Sequence, residues 1–275
     1  MVRKLIKYDF QSYFRLLFPV QLIILGIALL NRIIQFFEPP TGAPDIAASA
    51  YQAGFVATLV LYIVSIIVCF VMTVIVGIVR FYQGMYTNEG YLMHTLPVTP
   101  TQHIFAKLLT SVIFFLGSVL AAFISFMIVT AGQVNIEVFK AFFYLMNRYI
   151  QSAGFDGVLY IFEILLLLCV LLFHIFIKFY FCLSVGQLAK RKKVLLAFGV
   201  FFGIYAAKQI IGTALIVIST FSQNLIFVIS DWLSTIHTLA AIHIVIWISI
   251  VIYSAVALVY FFVTRHIMSK KLNLT

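Results

Sequence analysis

Four charged side chains interrupt long runs of Ile, Leu, Val and Phe: Arg32, Glu163, Lys178 and Lys208. A charge in hydrocarbon is costly unless it is paired or wetted, so each is a candidate for ion pairing or substrate passage. If the runs are helical spans, Arg32 lies about 8 Å, Glu163 about 9 Å and Lys208 about 15 Å inside their outer ends, counting residues at the helical rise. Those depths allow Glu163 to pair with Arg32 or with Lys208, and such a pair would help to hold an outer gate closed. A static pair, or snorkelling of Arg32, is the alternative. Lys178, a turn after His174, is expected to snorkel to the cytoplasmic side.

Bond-making chemistry finds little support. The chain has no HExxH and no GxSxG motif. His237 and His243, six apart, do not share a helical face as metal ligands would. Cys69, Cys169 and Cys182 all lie in apolar runs without CxxC spacing, so they read as small packed hydrophobes rather than as a disulfide framework or a zinc site. There is no G-x-x-x-x-G-K-[ST] phosphate loop, so this polypeptide is not expected to bind ATP through a Walker motif. Neither an enzyme nor a resident cofactor or metal is expected.

The elements that carry the charges follow from composition. Of 275 residues, 64% are hydrophobic and 9% charged, with a mean hydropathy of +1.15. Several apolar runs exceed the ~20 residues that cross ~30 Å of hydrocarbon as a helix. Unbroken apolar runs point to helices rather than an outer-membrane barrel, whose strands alternate. The expected fold class is all-α integral membrane, a single transmembrane domain over 1–275. Six spans are expected at about 18–37, 53–82, 103–131, 157–188, 194–218 and 241–264. The first is read as an uncleaved span, because the run from Pro19 to Phe37 is too long for the apolar core of a signal peptide. The net charge of +10 does not point to nucleic acid, since Lys and Arg gather at the ends of the runs. With the N-terminus inside, Arg80, Lys107, the run KRKK at 190–193, Arg265, Lys270 and Lys271 fall on the cytoplasmic side. The outer loops then hold Glu38, Asp45, Glu137, Asp156 and Asp231, with Lys140 and Arg148 as their only cations. N-in, C-in topology follows.

Residues 1–17 set Arg3, Lys4, Lys7 and Arg15 against an aromatic and aliphatic face, the pattern of a helix on the membrane surface; a plain extension of the first span is the alternative. The segments 136–151 and 224–236 are amphipathic and read as helices at the outer interface. The fifth span holds Gly199-x-x-x-Gly203 and Gly212, a spacing that lets helices approach closely. Phe198, Phe201, Phe202 and Tyr205 surround those glycines; packing or lipid-facing roles compete there with contacts to a substrate.

Residues 87–102, TNEGYLMHTLPVTPTQ, break the apolar pattern between the second and third spans. Thr99 as N-cap, Pro100 at the first helical position and Gln102 at the third make a sharp helix start. Asn88 can cap a short helix, with Glu89 at its positive end. Six spans, a basic amphipathic N-terminal helix and NEGYLMHTLPVTPTQ together resemble ABC-2-type permeases, the membrane subunits of ATP-binding-cassette exporters. Gram-positive members with an EGYL…TLPV stretch are the nearest likeness. The resemblance implies that residues 88–96 form the coupling helix, with Asn88, Glu89, Gly90, Tyr91, Leu92, Thr95 and Leu96 at the ATPase interface. His94 departs from the small or aromatic residues of that pattern and is given no role.

The resemblance also casts the N-terminal segment as the family's connecting helix, and the fifth-span aromatics and Lys208 as candidates along the substrate path. It implies a partner ATPase in two copies, which would bring ATP and Mg, and a second permease subunit, the same or different. Location in a bacterial cytoplasmic membrane, and export of an amphipathic or hydrophobic peptide, lipid or drug, are further implications. A stand-alone channel or ion-coupled carrier, resting on the intramembrane charges, is the competing expectation.

Overall fold

A computed structural model of the chain describes residues 2–39, 44–87, 90, 98–131, 133–221 and 238–270. Among the described residues there are seven α-helices and no strand: α1 Val2–Phe36, α2 Asp45–Tyr86, α3 Pro100–Val129, α4 Gln133–Ala153, α5 Phe155–Gly186, α6 Lys193–Phe221 and α7 Thr238–Lys270. All but α4 are long and apolar enough to cross a membrane, as expected of a multi-pass membrane protein. The reason is local. Each run is rich in Leu, Ile, Val and Phe, and in hydrocarbon a helix satisfies its own backbone.

The boundaries are instructive. Segment 1–17 and the first span form one uninterrupted helix, α1, with Pro19 inside it. Proline lacks an N–H, so one carbonyl a turn earlier loses its intrahelical donor while the helix continues. Helix α2 is longer than its apolar run. Its 42 residues reach about 63 Å, roughly twice the hydrocarbon thickness, so it extends well past a bilayer unless strongly tilted. The amphipathic segment 136–151 lies within α4, whereas 224–236 is outside the described residues. Between α4 and α5 the chain turns a corner at Gly154 alone, whose φ of 60° lies in the left-handed region that glycine enters without steric cost.

The helices divide into two compact units, Met1–Phe81 with Gln102–Asn147, and Tyr82–Thr101 with Arg148–Thr275. In the first unit, apolar packing is modest: Tyr13, Leu17, Val76 and Phe114 form one cluster, and Ile24, Ala28, Tyr62 and Cys69 another. What joins its helices is a polar stripe along α3. Ser111 Oγ lies 2.8 Å from the Tyr13 hydroxyl of α1. Ser118 Oγ lies 2.8 Å from Thr73 of α2 and accepts from Gln21 of α1 at 3.3 Å. Ser125 Oγ lies 3.0 Å from the Tyr62 hydroxyl of α2, and Gln35 Nε2 donates to the Val129 carbonyl at 3.2 Å. The three serines are seven residues apart and so share a face. Small polar residues of this kind let helices approach and bond where lipid supplies no hydrophobic drive.

The stripe begins with a buried ion pair. Lys107 Nζ donates to Asp9 Oδ1 at 3.1 Å, with the lysine side chain 2% and the aspartate 10% exposed. Lys107 is therefore not a solvated topology anchor; it is drawn into the packing by the one acid of α1. The cysteines also differ from expectation in one case, since Cys69 and Cys182 are buried but Cys169 is exposed.

In the second unit, α5 packs against α6 and α7. In its α5–α6 hairpin the two helices approach closely at Gly186, where an added Cβ would sit 2.7 Å from Ala197 Cβ and 2.7 Å from the Lys193 carbonyl oxygen. The anticipated close-approach glycines, Gly199, Gly203 and Gly212, have nothing within 4 Å of such a Cβ. Helix α6 meets α5 through the face bearing Ala197 and Phe201, which leaves those glycines open.

Asp9→Asn takes from the buried Lys107 its 3.1 Å ion pair with the Asp9 carboxylate. Asp9→Asn should destabilise the purified protein by about 3 kcal/mol, and adding Lys107→Met should recover most of that loss. Thermal unfolding of the two variants in detergent checks this; a double variant no more stable than the single one contradicts it.

Candidate functional site

The second unit gathers most of the chemistry. On α5, Glu163 is buried, and both of its oxygens are taken. His243 Nδ1 of α7 lies 2.6 Å from Oε2, and Trp247 Nε1 donates to Oε1 at 2.7 Å. An Nδ1–H on the imidazole serves this bond in the neutral ring and in the imidazolium alike. His243 and Trp247 are four residues apart, one turn of α7, so both reach the same carboxylate. Tyr160 sets its ring edge-on to His243 with centroids 5.8 Å apart, and Tyr149 lies 6.2 Å from Tyr160.

Glu163 thus has partners on α7 that its depth in the span did not point to. Its carboxylate bonds His243 and Trp247 of α7, while Lys208, in the same unit, is exposed on α6. Arg32, on α1, has partners on its own helix: Nη1 donates to Gln35 Oε1 at 2.7 Å, and the guanidinium stands 5.0 Å from the Phe36 ring centroid. An intrahelical bond and a ring contact near a helix end are the environment of an interfacial arginine.

Toward the other end of α5, His174 Nδ1 lies 3.3 Å from the Tyr253 carbonyl oxygen, and its ring sits between Tyr253 and Tyr260 of α7. One turn on, Lys178 Nζ stands over two aromatic rings, 5.6 Å from Phe179 and 5.0 Å from Phe201 of α6. Those rings stack on each other at 5.3 Å and 8°. Lys208, exposed on α6, is seven residues beyond Phe201 and so on the same face. Of the remaining substrate-path candidates, Phe202 is edge-on to Phe201. Phe198, Phe202 and Tyr205 are all largely exposed, Tyr205 at 65%. The structure brings Phe201 to Lys178, and it keeps Glu163 in a separate cluster on α5 and α7.

The polar cassette is described only at its edges. Asn88, Glu89, Tyr91, Leu92, Thr95 and Leu96 lie outside the described residues. Gly90 is described, helical and buried. Its N–H donates to the Thr87 carbonyl at 2.8 Å, and a Cβ there would stand 2.6 Å from the Met85 carbonyl oxygen. The chain therefore turns back onto the end of α2 so closely that only glycine fits. That end is itself held: the Tyr86 hydroxyl lies 2.6 Å from Ser184 Oγ on α5. On the far side, α3 begins at Pro100, as the spacing predicts, with the Thr99 and Thr101 hydroxyls 2.8 Å apart.

Comparison with protein-family models, with curated proteins and with solved structures finds no match to the chain. Geometry and sequence pattern carry the functional reading.

His243 and Trp247 were legible only as a pair on one face of α7; their partner lies 80 and 84 residues earlier. Asp9 was legible as the only acid in a basic amphipathic segment. Because Glu163 serves two donors, Glu163→Leu should lose about 2 kcal/mol of stability, and Glu163→Gln, which keeps an acceptor for Trp247, distinctly less. Unfolding midpoints of the two variants check this; equal losses would show that the bonds do not matter individually.

Proposed function

We propose that this chain is the membrane-spanning subunit of an ATP-driven exporter of the ABC-2 permease type, working with a separate ATPase. The observation that carries the proposal is the constrained turn at the end of α2. Gly90 packs on the Met85 backbone and Tyr86 is bonded to Ser184, so the cassette that resembles a coupling helix starts from a fixed point. A partner pressing on residues 88–96 would move the 42-residue lever of α2 and, through Tyr86 and Ser184, the end of α5.

In this reading Asn88, Glu89, Gly90, Tyr91, Leu92, Thr95 and Leu96 meet the ATPase, which supplies ATP and Mg in two copies. A second permease subunit, the same or different, completes the pathway. The N- and C-termini are cytoplasmic, α4 rests at the outer interface of a bacterial cytoplasmic membrane, and the cargo is an amphipathic or hydrophobic molecule.

The Glu163–His243 pair favours one other reading, an ion-coupled carrier, since a carboxylate and an imidazole joined within apolar helices can hold a proton. Co-purification separates the two. A soluble ATPase should accompany the affinity-tagged chain and should be lost when residues 88–96 are scrambled. Gly90→Ala, which forces the turn off Met85, should weaken capture while the protein still folds. Transport by the reconstituted chain with no ATPase present would overturn the proposal in favour of the carrier.

A further inference from the structure

The N-terminal half of α1 stands in line with its span rather than lying across it. Leu5, Asp9, Tyr13 and Leu17 recur every four residues and are all buried. The Tyr13 hydroxyl meets Ser111 of α3, and Asp9 meets Lys107. These contacts hold the segment upright against α3, although its composition suited a helix on the membrane surface. A second face is thereby turned outward. Arg3, Lys7, Phe10, Phe14 and Phe18 follow at intervals of four, three, four and four residues, within about 80° of the helix circumference. All five are exposed. The rings form a ladder. Phe14 stacks on Phe10 with centroids 6.4 Å apart and on Phe18 at 4.6 Å, and Phe10 leans on Phe114 of α3 at 4.8 Å. Among the described residues Arg3 and Lys7 have no ion-pair partner. The one acid of α1, Asp9, is on the other side of the helix and bonded to Lys107.

Helical rise sets the depth of this face. Arg32, with its intrahelical bond and ring contact, marks the far interface. About 30 Å of hydrocarbon, counted back from it at ~1.5 Å per residue, ends near Ser12. Phe14 and Phe18 then lie inside hydrocarbon and Phe10 at its boundary. Lys7 lies about 8 Å beyond the boundary, at the level of the headgroups, and Arg3 one turn further out. The two cations are neighbours on one helix face, about 6 Å apart at Cβ, and their long stems bend back toward the layer. Cations at headgroup depth, in line with a ladder of rings in hydrocarbon, complement a molecule with an anionic head and an apolar tail.

We propose that the α1 face bearing Arg3, Lys7, Phe10, Phe14 and Phe18 binds an anionic phospholipid, its phosphate on the two cations and an acyl chain along the rings. The site requires only this chain and stands without an ATPase. The test uses the purified full-length protein in neutral maltoside detergent, supplied with equal amounts of phosphatidylglycerol and phosphatidylcholine of the same acyl composition. Retained lipid is read by native mass spectrometry. The wild-type protein should keep phosphatidylglycerol in preference. Arg3→Gln with Lys7→Gln, both at exposed positions, should lower that preference roughly tenfold or more, the scale of removing two cations from an anionic headgroup. Arg3→Lys with Lys7→Arg should retain it. Lys190→Gln with Arg191→Gln, which removes the same charge from the α5–α6 turn, should leave it unchanged. Phe14→Ala, in the middle of the ladder, should lower retention of both lipids. Equal retention of the two lipids by the wild type, undiminished preference in the Arg3 and Lys7 glutamine variant, or an equal loss in the Lys190 and Arg191 variant would each overturn the proposal. So would displacement of the lipid by inorganic phosphate, or release of a co-purified soluble protein in place of lipid by the Arg3 and Lys7 substitutions.

Discussion

Hydrocarbon offers a buried polar group no partner, and most of the order in this protein follows from that constraint. A helix satisfies its own backbone, so six apolar runs become helices with little help from their neighbours. Side chains are another matter. With no hydrophobic difference between lipid and a leucine surface, helices associate through close packing and through bonds between the few polar groups they carry. In the first unit those groups fall on one face of α3, from Lys107 through Ser111, Ser118 and Ser125 to the Val129 carbonyl. The stripe does the joining that a leucine core does in water.

The same constraint sorts the charged residues of the second unit into satisfied and unsatisfied. Glu163 is satisfied by an imidazole and an indole, neither of which must be charged, and that solution fastens α5 to α7. Lys178 has only rings beneath it, and Lys208 is exposed. A fully satisfied cluster is a fastening, because any movement breaks bonds that hydrocarbon cannot replace. Lys178 instead rests on the faces of Phe179 and Phe201.

Much of the fold was readable beforehand. Six spans were expected, and each falls on a helix, because a run of about 20 apolar residues has few alternatives. The start of α3 at Pro100 followed from capping chemistry within four residues. The extent of α2 did not, since the weakly polar residues flanking its apolar core continue the helix at both ends. Within this chain, Gly199, Gly203 and Gly212 of α6 meet no neighbour within 4 Å. Small-residue spacing describes a face that can be approached, and the neighbour α5 uses a different one, close at Gly186 and Ala197.

By itself, the sequence determined what is local: helical spans, their number, the sharp start of α3 and the polar interruption at 87–102. Periodicity, capping and hydropathy act over a few turns, so one stretch of chain holds all the information they need. Pairing is not local. Glu163 meets His243 across 80 residues, Asp9 meets Lys107 across 98, and Lys178 meets the ring of Phe201 on the next helix. Depth alone had offered Arg32 or Lys208 to Glu163. The choice went to α7 because a carboxylate bonds the donors that packing brings within about 3 Å, whatever their formal charge. Only the tertiary structure settles which face of each helix meets which neighbour, and with it which charges are spent on holding the helices together.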